Sequence, residues 1–75
     1  MTRHSVLWQL QRGSERIEAV VNEQEDGECE LRYLRNGSML HRIWMAAGCP
    51  LAAIEDALDR RQLLKMQGWH EAINR

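Results

Sequence analysis

The chain changes its hydrophobic period once, near Pro50, and that change limits the fold more than any figure of composition. From Ser5 to about residue 45 apolar residues recur at every second position; from 50 to 67 they recur at helical spacing. Strands therefore come first and a single helix follows. No internal repeat or linker divides the sequence, so residues 1–75 read as a single small domain: a meander over about 5–45, a helix over about 50–67, and a short tail.

Three turn signals cut the alternating part into strands. Gly13-Ser14 suits a two-residue type II′ hairpin, which sets Leu10 against Ile17, Trp8 against Ala19 and Val6 against Val21. At Glu25-Asp26-Gly27 a two-residue turn would set Val21 against Arg32. A three-residue loop with a left-handed Gly27 sets Val21 against Leu31 and Ala19 against Tyr33, and burial selects it. Asn36-Gly37 is a type I′ signal that pairs Tyr33 with Leu40 and Cys29 with Trp44, leaving Leu31 against Arg42 as the one misfit.

Residues 38–47 admit two readings. As a strand they complete a hairpin with residues 29–35. As a helix they start at a Ser38 N-cap, run from Met39 to Ala47 and stop at Gly48. The Asn-Gly pair favours the strand. Beyond Gly48-Cys49, Pro50 fits a first helical position, and Leu51, Ile54, Ala57, Leu58 and Leu64 form a stripe at helical spacing. Gly68 is the expected stop, with Trp69 folding back onto the core. The expected class is α+β: a three- to four-stranded antiparallel β-meander packed against one C-terminal α-helix.

Charge and composition exclude several roles. Ten Lys+Arg stand against eleven Asp+Glu, so the excess positive charge of a polybasic nucleic-acid or membrane-surface protein is missing. No run approaches the ~18 apolar residues of a membrane helix, and no secretory signal is visible. Two cysteines are too few for a disulfide framework and suit a cytoplasmic setting.

Residues able to carry chemistry are few. Cys29, Cys49, His4, His41 and His70 show none of the spacings of a zinc or metalloprotease site, so no metal and no cofactor is expected. Cys29 alternates with Leu31 and Tyr33 and reads as a small core residue. Cys49, just before the helix, is where a thiol pKa would fall, which makes a thiol-dependent activity a third alternative; no catalytic partner stands near it in sequence. Glu23, Glu25, Asp26, Glu28 and Glu30 crowd the second turn without calcium-loop spacing and read as a solvated tip. No phosphate-binding glycine loop or nucleophile elbow is present, so an enzyme is not expected.

The face of the sheet opposite the helix carries the functional reading. On the registers above it holds Leu7, Val20, Leu34, Met39 and Ile43, mixed with Gln9, Glu18, Arg32 and His41. A solvated face would be almost wholly polar, whereas an apolar stripe rimmed by charge suits a protein contact. The expected role is a non-enzymatic interaction module, a homodimer joined through the open sheet face or the edge of the fourth strand, or a binder of another protein, with Leu7, Val20, Leu34, Met39, His41 and Ile43 at the contact. On this register Ile43→Glu would weaken association and leave the fold intact. The alternative is a nucleic-acid-binding domain using sheet arginines. Against it, Arg3, Arg12, Arg16, Arg32, Arg35 and Arg42 are interleaved with seven acids over the same stretch.

Overall fold

The computed structural model describes residues 3–45 and 50–72. The alternating part forms β1 (Arg3–Arg12), β2 (Glu15–Glu23), β3 (Cys29–Arg35) and β4 (Ser38–Met45). Helix α1 (Pro50–Met66) follows, then a two-residue strand β5 (His70–Glu71). The strands make one antiparallel sheet in the order β4-β3-β2-β1-β5, with α1 on one face, and the fold is α+β. Residues 38–45 are thus strand and not helix. Asn36 (φ 51°) and Gly37 (φ 84°) both take the left-handed conformation that a type I′ turn demands. Asn36 also binds back to β2: its amide donates to Arg16 O at 2.8 Å, and the Arg16 amide donates to its Oδ1 at 2.9 Å.

The sheet has five strands where three or four are expected from sequence. The addition comes from the way α1 ends. Gly68 (φ 95°) lets its own amide reach Lys65 O and the Trp69 amide reach Leu64 O, the paired bonds of a Schellman stop. The chain then reverses, buries Trp69 in the core, and lies along β1, with Leu10 opposite Glu71 and the Ala72 amide on Gln9 O. Arg61 and Lys65 both pair with Glu71, which fastens β5 to the helix; these hydrogen bonds hold the Glu71 carboxyl below its ordinary range.

Register is where sequence and structure part. Leu10 faces Ile17, Trp8 faces Ala19, Val21 faces Leu31 and Ala19 faces Tyr33, as the turns dictate. Two bulges change the outer strands. Leu7 is an extra residue in β1, so Val6 faces Val20 instead of Val21. The bulge lets the consecutive Leu7 and Trp8 both pack on the helix side, which strict alternation forbids. Leu40 is an extra residue in β4, so Tyr33 faces His41, Leu31 faces Ile43 and Cys29 faces Met45. The misfit of Arg42 against Leu31 is thereby removed: one unpaired residue costs less than a guanidinium in the core.

The core joins Trp8, Leu10, Ile17, Leu31 and Tyr33 of the sheet to Ala53, Ala57 and Trp69. The helix docks through its alanines. Leu64 is partly buried, while Leu51, Ile54 and Leu58 of the expected stripe remain 67%, 41% and 52% exposed. Bulky Trp8, Tyr33 and Trp69 already occupy the sheet side, so only small helix residues fit against them. The first acid of α1, Glu55, lies beyond its first turn, and Lys65 alone complements the dipole at the last turn.

Candidate interaction surface

On the side of the sheet away from α1, β2 and β3 bring together Val20, Asn22 and Glu30, all three buried although no helix covers them. Val20 is enclosed between Val6 of β1 and Arg32 of β3. Glu30 is 1% exposed and lies between two arginines that face each other across β3 and β4. Directly opposed like charges destabilise a strand pair, and Glu30 offsets them. Its Oε1 accepts from Arg32 Nε and, at 3.5 Å, from Asn22 Nδ2; its Oε2 lies 3.3 Å from Arg42 Nε without hydrogen-bond alignment. Asn22 Oδ1 is 2.6 Å from His4 Nδ1. A carboxylate clamped in this way holds the sheet face together.

The bulge at Leu40 re-sorts the side chains expected at a contact. Leu34 and Met39 lie on the open face, opposite one another, half-buried and exposed respectively. Val20 shares that face but is buried. Leu7 and Ile43 do not belong there: both pack against the core on the helix side, the first through the β1 bulge and the second through the β4 bulge. His41 also leaves the open face, standing opposite Tyr33, where its charge helps to lower the Asp56 pKa. Trp44, placed by the regular register opposite Cys29, instead faces Glu30 on the open face, and the Arg42 guanidinium lies 5.7 Å from its ring. Trp44 and Leu40 escape the sequence reading of the contact, and Arg42 enters it only among the sheet arginines of the alternative; the signal that could have found them was the Leu31–Arg42 misfit.

β4 is the outermost strand, and among the described residues none pairs with its outer edge. Its apolar side chains Met39, Leu40 and Trp44 are 49%, 55% and 53% exposed. Leu40 also lines a groove of about 220 Å³ against Leu63, Leu64 and Arg60 of the helix. A second groove of about 270 Å³ runs along the other flank, between Leu7 and Trp8 of β1 and Ile54 and Leu58 of α1.

Behind the β4 edge, Tyr33 donates from its hydroxyl to Asp56 Oδ2 at 2.6 Å. Arg60 donates to the same oxygen at 3.1 Å and stacks 4.7 Å from the Tyr33 ring centre. Burial, then the Asp56 carboxylate, pushes the Tyr33 pKa well up, while the Tyr33 hydrogen bond is the main cause holding Asp56 down. Cys29 is buried opposite Met45; Cys49 lies outside the described residues, and so does any chemistry placed on it. Among the described residues no three His, Cys, Asp or Glu side chains converge, and no helix is long and apolar enough to cross a membrane. Compared with known proteins, the chain matches no family model, no curated protein and no solved structure.

Proposed function

We propose that this chain is a small, non-enzymatic, cytoplasmic interaction module that self-associates through the outer edge of β4 and the adjoining open sheet face. The observation that carries the reading is the state of β4. It is an edge strand whose backbone is available for pairing, with Met39, Leu40 and Trp44 about half exposed on it. A row of unpaired backbone groups bordered by apolar side chains is a template for strand addition, the mode in which main-chain bonds supply affinity and side chains supply selectivity. Mixed polar and apolar residues, with an aromatic and an arginine at the centre, suit a protein contact. The test is solution mass by light scattering over a dilution series, for the native chain and for Trp44→Ala. A species near twice 8.8 kDa that dissociates more readily in the variant supports the reading. A monomer at every concentration removes it.

A further inference from the structure

We infer that two copies pair β4 to β4 antiparallel about a two-fold axis through Ile43, giving one continuous ten-stranded sheet from two sheets of five. This rests on the reading of β4 as the contact edge and adds the partner and the register. Three constraints select that register.

The first is the Leu40 bulge. It interrupts the strict alternation of β4, so that among the described residues 41–45 form the regular stretch, with Arg42 and Trp44 on the open face and His41, Ile43 and Met45 on the helix side. Directly opposite residues in an antiparallel pair must share a face. Only an axis through Ile43, the midpoint of that stretch, pairs all five residues with counterparts on the matching face.

The second is charge. Moving the axis to Arg42 sets that guanidinium against its own copy, a like-charge pair, and shortens the matched stretch to 41–43. An axis through Ile43 sets each Arg42 against the partner's Trp44, extending the arginine–indole stacking already present within one strand. Moving the axis to Trp44 sets each indole against its own copy and loses both of these contacts.

The third is the core. Ile43 is only partly buried although it packs on the core, because the sheet ends beside it. Setting it against its own copy closes the open end of both cores in one step.

Cysteine cross-linking in a Cys49→Ser background reads the register, since directly opposed Cα atoms lie roughly 4.5–5.5 Å apart, within disulfide reach. Chains carrying Arg42→Cys and chains carrying Trp44→Cys should, when mixed, cross-link to each other and not to themselves. Each such heterodimer keeps one native Arg42–Trp44 pair. Ile43→Cys should cross-link to itself. Trp44→Ala should weaken dimerisation about tenfold through loss of both stacking contacts. Self-cross-linking of Arg42→Cys or of Trp44→Cys, with the mixture no better, would overturn the register while self-association stands. A dimer in solution that none of these sites cross-links would place the contact elsewhere than β4. A native chain that is monomeric throughout would sink both the register and the reading beneath it. The Arg42 and Trp44 sites are exposed, so the mixed experiment decides even if Ile43→Cys does not fold.

Discussion

The indole Nε1 of Trp8, in β1, donates to the carbonyl oxygen of Ala57, in the middle of α1, at 2.9 Å. A backbone carbonyl deep in a helix is reachable only where the residues around it are small. Ala53 and Ala57 provide that opening, and both are 1% exposed. The helix is therefore fitted to the sheet by close approach of its backbone, with its larger apolar residues left on the flanks.

That geometry inverts the usual ranking of helix substitutions. Ala57→Leu adds volume where indole and helix backbone already touch, and is expected to destabilise by about 2–3 kcal/mol. Leu58→Ala removes a larger side chain from an exposed position and is expected to cost less than about 1 kcal/mol. Urea denaturation of the two variants decides it; a costlier Leu58→Ala would mean that the leucine flank, and not the alanine face, meets the sheet.

The Tyr33–Asp56 bond gives the fold a stability plateau bounded on both sides by pH. Asp56 has a folded pKa below its ordinary 3.8, so its contribution is full above that value and is lost as pH falls through the lower, folded one. Tyr33 has a folded pKa raised above its ordinary 10.0, so its contribution is full below pH 10.0 and is lost as pH rises toward the folded value. Tyr33→Phe should cost about 1.5 kcal/mol at neutral pH, the low end for a bond to a charged group because Asp56 is partly exposed. It should also flatten the Tyr33 contribution to the alkaline decline of thermal stability. An unchanged alkaline limb in the variant would assign that decline to other groups.

Ile43 and Trp44 are neighbours in sequence on opposite faces of the sheet, and they should respond in opposite ways. Ile43→Glu puts a carboxylate against Leu31 and is expected to cost about 3 kcal/mol or more, enough to unfold a chain of this size. Trp44→Ala should leave the melting temperature within a few degrees while weakening association. If Ile43→Glu keeps the native circular-dichroism spectrum and melting temperature, the regular register without the Leu40 bulge is the true one.

Arg32 and Arg42 are engaged by Glu30, so duplex DNA is expected to find little unmatched charge on the open face. A fluorescence-anisotropy titration at low salt should show no saturable binding. Micromolar affinity with a steep salt slope would instead mean that the arginines leave Glu30 to meet phosphate.

Much of this architecture is legible in the sequence because local rules agree with each other. The Gly13-Ser14 and Asn36-Gly37 turns, the three-residue loop at Gly27 and the alternation of Trp8, Leu10, Ile17 and Ala19 all demand the same hairpins. What escapes has a tertiary cause. A bulge has no residue signature at Leu7 or Leu40; the first is chosen by two consecutive apolar side chains that both pack on the helix side, the second by the charge that the core must exclude. The docking of α1 by alanines follows from the bulk of Trp8, Tyr33 and Trp69 opposite, which helical periodicity does not register. β5 is too short to alternate and exists because Trp69 pulls the chain back. The candidate surface shifts for the first of these reasons alone: moving β4 by one residue exchanges Ile43 for Trp44 on the open face.

Leu40 thus works on the two-residue grammar of the strand as a frameshift works on codons. Everything downstream of it to Met45 is read in the other frame, and the inside and outside of the sheet's margin trade places. Deleting that one residue would leave Met39 opposite Leu34 and His41 opposite Tyr33 in an unbroken ladder, with tryptophan and arginine still on the open face. Straightening the bulge with Leu40 kept in line is what would turn the edge over and present isoleucine and histidine there. In any relative of this chain, a gap of one residue near position 40 would therefore mark a straightened edge that keeps the same recognition surface.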